Sequence, residues 1–242
     1  ENGEILVGDE AIHAGLVEPS RLVTSSKRKM GTGEILYRGD DGTEYGARAI
    51  AKILIERCLV DIERATDEIP SALAITIPAN FTDQQRREVL EAAKAAGVSD
   101  VMLAQEPTAA AMAFNGRRCT DALVGVVDLG AGTLDVSIVR FDGDDRTVVT
   151  TGGERHLGGE DYTRLIEATL LEQYTKSTGY TPDPDEHAPW YAELAQRAET
   201  AKLALSTREK VTASLSCVGK AATITLQRSD FERAAAPLNN RL

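Results

Sequence analysis

The residues best able to do chemistry in this sequence lie in Asp128-Leu-Gly-Ala-Gly-Thr-Leu-Asp135. A run of small and β-branched residues, Val124-Gly-Val-Val127, delivers Asp128 to the end of a strand. Gly130 and Gly132 let backbone N–H groups approach an anion with no Cβ in the way, and Thr133 adds a hydroxyl. Asp135 opens a second strand, so a carboxylate stands on each side of the turn. That arrangement suits phosphate together with a hydrated Mg²⁺, an ion that keeps several of its waters. A tight hairpin whose Asp residues cap turn amides has the same pattern, and on these residues alone both readings stay open.

Two other places bear on the choice. Glu106 follows the strand Val101–Ala104 and precedes Pro107, which puts a carboxylate at the strand C-termini, the usual ligand edge of an α/β sheet. Its plainer role is to cap the next helix. Glu199, Lys202 and Ser206 share one helical stripe, about 100° round from the face formed by Leu194, Ala198, Ala201 and Leu205. Such a stripe can hold a ribose or a base edge, or can simply be solvated. Common catalytic motifs are missing: there is no G-x-x-x-x-G-K-[ST], G-x-G-x-x-G, H-E-x-x-H or G-x-S-x-G. His13, His156 and His187 stand far apart in unlike contexts and offer no metal-ligand spacing.

The elements that must position these residues follow from periodicity. Ile5–Val7 reads as a short strand and Ala11–Leu16 as a helical turn. Ile35-Leu-Tyr37 leads into a turn at Gly39–Gly42. A helix follows with Ile50, Leu54, Cys58 and Ile62 on one apolar face. Residues 73 to 116 read strand, helix, strand, helix, the signature of a layered α/β unit with parallel strands. Within it, Thr82-x-x-Gln85 is a capping box and Gly97 a left-handed helix end. Beyond, Val124–Asp128, Leu134–Arg140 and Thr147–Thr151 form a meander. A helix from Glu160 to Gly179 carries Tyr162, Ile166, Leu170 and Tyr174 inward, and another runs from Pro189 to Leu205. A hairpin about Gly219 and a last helix capped by Ser229 complete the chain.

Composition sets the outer limits. The 242 residues carry 27 basic against 38 acidic side chains, a formal charge of −11, with 42% hydrophobic and 27% charged residues. That is a globular composition, and its acidity argues against nucleic acid as a partner. No apolar run approaches the roughly 20 residues that span a bilayer, so no membrane segment is expected. Cys58, Cys119 and Cys217 are scattered and odd in number, which fits a reducing, cytoplasmic setting rather than a disulfide framework.

Four blocks taken together resemble one family. Ala74-Ile-Thr-Ile-Pro-Ala-Asn-Phe-Thr-Asp-Gln-Gln-Arg86, Gln105-Glu-Pro-Thr-Ala-Ala-Ala-Met-Ala-Phe-Asn-Gly116, Asp128–Ile138 and His156-Leu-Gly-Gly-Glu-Asp161 look like the seventy-kilodalton heat-shock chaperones. The resemblance implies an α/β, actin-like (ribonuclease H-like), two-lobed ATPase fold. It places residues 1–118 in a partial first lobe and 119–242 in a partial second. It also implies a first phosphate loop before Glu1 and an adenosine-closing Gly-Gly loop after Leu242, so the fold is expected to be incomplete. Unpaired sheet edges then favour self-association.

By the same resemblance, ATP or ADP and Mg²⁺ are the cofactors, and unfolded clients and co-chaperones the partners. Lys27 matches the catalytic lysine beside the γ-phosphate, and Glu106 an acid that orders water around the metal. Asp128 and Asp135 match the carboxylates that hold Mg²⁺ through water and attend the nucleophilic water. Gly130, Ala131, Gly132 and Thr133 match a phosphate loop, and Gly159 a glycine near the nucleotide. Glu199, Lys202 and Ser206 match adenosine contacts, and Pro78 a proline linking the halves. Ala131 departs from the usual glycine, which a negative φ would tolerate. Leu203 stands where an arginine commonly stacks on adenine. These departures keep an alternative in view, a divergent or truncated interaction module that keeps the fold without hydrolysis. A third reading, a filament-forming or sugar-kinase relative, is disfavoured by the Glu106 and His156 blocks.

Overall fold

The computed structural model describes residues 4–115, 121–154 and 156–242. The boundary expected between 118 and 119, Cys119, and the helix end at Gly116 lie outside the described residues. The chain divides into two compact units. One takes in Val23–Asp128 and Asp135–Gly153, the other Gly8–Leu22, Leu129–Leu134 and Glu154–Leu242.

In the first unit, β1 (Ile35–Arg38) and β2 (Glu44–Gly46) form an antiparallel pair that leads into α2 (Ala47–Thr66). The first helix, α1 (Asp9–Gly15), belongs to the second unit. β3 (Ala72–Ile77) and β4 (Asp100–Gln105) pair in parallel, from Ala72 opposite Asp100 to Ile77 opposite Gln105. Their crossover is α3 (Asp83–Ala95), started by the expected capping box. Thr82 Oγ1 accepts from the Gln85 N–H, and Gln85 Oε1 accepts from the Thr82 N–H. Gly97 follows at φ +97°, as the helix end requires. α4 (Glu106–Asn115) starts directly on β4. A small core joins Met30, Ala47, Ile77 and Val89.

The meander is β5 (Asp121–Leu129), β6 (Leu134–Asp142) and β7 (Asp145–Glu154), in that spatial order. Connections this short allow only antiparallel neighbours. Val139 and Phe141 are fully buried beneath it with Ala111.

The second unit has the larger core. α5 (Gly159–Thr178) and α6 (Ala188–Leu205) pack on the hairpin β8 (Lys210–Cys217) and β9 (Lys220–Gln227), followed by α7 (Arg228–Asn239). Ile166, Leu170, Tyr174, Leu194, Ala198 and Leu205 meet in its centre. Gly179 ends α5 at φ +65°.

Four local expectations are corrected. Ile5–Val7 forms no strand, because none of the described sheets supplies a partner. On α2 the apolar stripe is not a core face: Leu54, Cys58 and Ile62 are exposed, and the helix packs instead through Ala47 and Ala51. The last helix is preceded by Gln227, not capped by Ser229, and has no side-chain cap. Tyr162 shares the α5 period with Ile166 but lines a cavity rather than the core.

Candidate functional site

Lys27 sits in a 3-10 turn, Ser26–Lys29, that α3 holds in place. Gly31 N–H donates to Glu88 Oε2 at 2.8 Å, and Gln84 Nε2 and Gln85 Nε2 donate to the carbonyls of Gly31 and Met30. Met30 is buried in the core below. Gly31 has φ +80°, and a Cβ there would meet Gln85 Cγ at 2.8 Å. These ties present the Lys27 ammonium to Glu106, with Nζ 2.6 Å from Oε1. The Lys27 side chain is 60% exposed and that of Glu106 22%. A pair this open contributes about 0–1 kcal/mol to stability, so its value is positional.

Glu106 lies at the junction of β4 and α4, where the parallel strand ends. There it shares a narrow cleft with Asp128, Asp135, Pro78, Ser137 and Thr151. The cleft encloses about 10 Å³, room for about a single water. On its floor Ser137 is buried and its hydroxyl lies 2.9 Å from that of Thr151. Arg86 bonds the carbonyls of Phe81 and Ala79 and so fixes the rim after Pro78. Among the described residues, no group of three or more His, Cys, Asp or Glu could enclose a bare metal ion. Asp128 and Asp135 both line that cleft, and carboxylate oxygens suit a magnesium ion that keeps most of its own water and takes further oxygens from phosphate.

In the second unit the turn Gly130–Thr133 is stitched to the start of α5. Gly130 N–H donates to Thr133 O at 2.9 Å, closing the turn. Gly159 N–H donates to Gly130 O at 3.0 Å and Glu160 N–H to Ala131 O at 2.7 Å. Ala131 is outside the left-handed region, so its methyl group is tolerated. The glycine that sequence reasoning missed is Gly158. A Cβ there would lie 2.5 Å from Gly132 N and 2.6 Å from both C and O of Ala131. The Gly-Gly doublet before a helix was the available signal, although it does not say which of the two is pressed against the turn.

A cavity of about 400 Å³ opens in the same unit. Its lining includes Gly130, Gly159, Lys202 and Ser206, and adds Tyr162, Arg228, Phe231 and Glu232, which the sequence did not single out. Lys202 Nζ reaches Gly159 O at 3.0 Å, Thr163 Oγ1 at 2.9 Å and Glu199 Oε2 at 2.6 Å. Burial pushes the Glu199 carboxyl up, but hydrogen bonds from Lys202 and Thr163 and the Lys202 charge outweigh it and hold the group below the usual range. Glu199 therefore stands behind Lys202 rather than in the cavity wall. Ala131, Gly132 and Thr133 are not in that wall either, and neither is Leu203, whose side chain is exposed.

The structure thus groups Lys27 with Glu106, and Glu106 with Asp128 and Asp135, in the first unit. It groups Gly130, Gly159, Lys202 and Ser206, with Glu199 one bond behind, in the second.

Comparison with known proteins gives a consistent family. The family model described as Hsp70 protein matches residues 34–242. The chain is 33% identical to the chaperone protein DnaK of Picrophilus torridus over all of its length, covering 40% of that relative. It is 36% identical to the chaperone protein DnaK of Methanothermobacter thermautotrophicus over 86% of the chain and 34% of the relative. With the chaperone protein DnaK of Cenarchaeum symbiosum it shares 30% identity over all of the chain and 37% of the relative. The chain therefore spans two fifths or less of these curated relatives.

Proposed function

The chain belongs to the Hsp70 family, and from that premise we propose that it is the ATP-binding and ATP-hydrolysing part of a molecular chaperone whose nucleotide state governs its hold on client proteins. The family has the actin-like ATPase fold, and the helices and small sheets described above are an incomplete α/β form of it. Clients and co-chaperones are the partners in this reading, the cytoplasm is its setting, and the open sheet edges favour self-association. Assignment of residues 1–118 and 119–242 to two lobes belongs to the same reading. No described helix is long and apolar enough to cross a membrane.

The observation that carries the proposal is the contact between Lys27 and Glu106, 79 residues apart in sequence, on a cleft that also holds Asp128 and Asp135. Asp128 and Asp135 would hold hydrated Mg²⁺, which when bound supplies charge neutralisation for phosphate oxygens. Glu106 and Asp135 orient water by accepting its hydrogens. The Lys27 ammonium offsets negative charge as it shifts during in-line attack, as a fixed charge that is in place before the reaction begins. Gly159, Lys202 and Ser206 bind the nucleoside, with Glu199 holding the Lys202 ammonium in position. The chain's contribution is placement and fixed charge rather than covalent catalysis.

Substituting Lys27→Ala in the full-length protein tests this directly. Nucleotide affinity measured by calorimetry with MgATP should change by less than about threefold, while single-turnover hydrolysis falls by roughly 100-fold or more. Unchanged hydrolysis would remove Lys27 from the chemistry. A wild-type protein that binds MgATP yet never hydrolyses it would favour the non-hydrolysing interaction module.

A further inference from the structure

We propose that Glu88 is a positioning residue for ATP hydrolysis: its carboxylate fixes the backbone from which Lys27 reaches the cleft, so losing it slows the chemical step without weakening nucleotide binding. The assignment rests on the nucleotide reading above. The turn that carries Lys27 does not hold itself. Ser26–Lys29 is a single piece of 3-10 helix, a form with poor hydrogen-bond geometry, and none of its residues is buried. It starts from Ser25 in the left-handed region at φ +54°, which a residue with a Cβ disfavours. Its closing bonds are long, from Met30 N–H to Lys27 O at 3.3 Å and from Thr32 N–H to Lys29 O at 3.2 Å. The Lys27 side chain is a flexible four-carbon stem, 60% exposed, so where its ammonium rests depends on how firmly the turn is held.

The hold comes from α3. Both backbone groups of Gly31 are taken by side chains one helical turn apart: its N–H donates to Glu88 Oε2 at 2.8 Å, and its carbonyl accepts from Gln84 Nε2 at 3.0 Å. Gln84 Nε2 also lies 3.4 Å from Glu88 Oε1, so the two clamping side chains brace each other. A carboxylate is a stronger acceptor for an N–H than a neutral oxygen, and Glu88 is half-buried, where water competes less. Gln85 adds a bond to Met30 O at 3.1 Å, but it also caps α3 through Thr82, so its loss would disturb the helix itself. Glu88 makes the shortest bond of the clamp and has no part in starting the helix.

The test measures single-turnover hydrolysis, and MgATP affinity by calorimetry, on the full-length protein carrying Glu88→Ala or Glu88→Gln, each alone and combined with Lys27→Ala. Alanine suits a helix interior, so α3 persists in the first variant. Glu88→Ala should slow hydrolysis about tenfold, inside the roughly 100-fold that a misplacement of about 1 Å can cost, and leave affinity unchanged. Glu88→Gln keeps an oxygen for Gly31 N–H and should recover most of the rate. Added to Lys27→Ala, Glu88→Ala should slow hydrolysis no further, because the two act through one group. A wild-type rate in Glu88→Ala, or an undiminished further loss in the Lys27→Ala background, would overturn the proposal. Equal losses in the alanine and glutamine variants would also overturn it, assigning the effect to charge rather than to the bond. A parallel fall in MgATP affinity would do the same and leave Glu88 to the fold. Trace acetylation of lysines, read by mass spectrometry, needs no nucleotide. The Lys27 amine, released from Glu106, should label several-fold faster in Glu88→Ala and at the wild-type rate in Glu88→Gln. Unchanged labelling in Glu88→Ala would refute the hold on Lys27 itself. A wild-type protein that hydrolyses no ATP would instead sink the nucleotide reading, and the assignment of Glu88 to hydrolysis with it.

Discussion

Gly158→Ala is the substitution whose effect can be worked most directly from the structure. The added Cβ would stand 2.5 Å from Gly132 N and 2.6 Å from Ala131 C and O. All three are backbone atoms, so no side chain can swing aside. Relief requires the turn and the start of α5 to part by nearly 1 Å, as crowded interiors do when overpacked, at about 1–3 kcal/mol. The same movement breaks the bonds from Gly159 N–H to Gly130 O and from Glu160 N–H to Ala131 O, each contributing about 1 kcal/mol net. Together the loss is about 3–5 kcal/mol, a large part of a typical stability of about 5–15 kcal/mol, and lowers the melting temperature by on the order of 10 °C. Urea and thermal unfolding followed by circular dichroism measure it. Gly152→Ala is the control: its Cβ meets nothing within 4 Å and its φ is ordinary, so its stability should shift by less than about 1 kcal/mol. Equal behaviour of the two variants would refute the close approach of turn and helix.

Val218 sits at the tip of the β8–β9 hairpin with φ +49°, a conformation that is an outlier for a β-branched side chain, and it is 72% exposed. Val218→Gly should therefore raise unfolding stability by about 1 kcal/mol, and a fall would show that its side chain is needed there. The Glu199 carboxyl is held below its usual value of 4.5 in the folded protein. Its contribution is present above the unfolded value and fades as pH falls through the lower folded value, so Glu199→Gln should flatten the stability profile only on the acid side. Glu167 has the opposite sign, because burial raises its carboxyl and Arg164 offsets only part of that. Its folded form favours the proton, which makes the ionised group unfavourable at neutral pH. Glu167→Gln should accordingly raise the denaturant midpoint at pH 7, and an unchanged midpoint would count against the burial.

Much of the α/β core was legible because local signals and tertiary packing agree there. Thr82 and Gln85 form a reciprocal cap that needs only neighbouring residues, and the parallel pairing of β3 with β4 follows from the strand–helix–strand order. α6 carries its buried stripe where the period puts it, at Leu194, Ala198, Ala201 and Leu205. On α2 the same kind of stripe is left exposed, since periodicity shows that a helix is amphipathic without showing what, if anything, covers it. Asp128, Asp135 and Glu106 could be picked out by residue type and position at strand ends. Arg228, Phe231 and Gly158 could not, because their importance arises from elements brought together by folding: a bond to a helix end 23 residues away, a ring beside a cavity, and a backbone pressed against a distant turn.

The seam between the Gly130–Thr133 turn and the first residues of α5 is made wholly of main chain. Side chains at 131 are therefore free to drift, as the alanine there illustrates, without loosening the joint. At 158 drift has nowhere to go, and any tilt of α5 must be passed on to the turn as a displacement of its peptide planes.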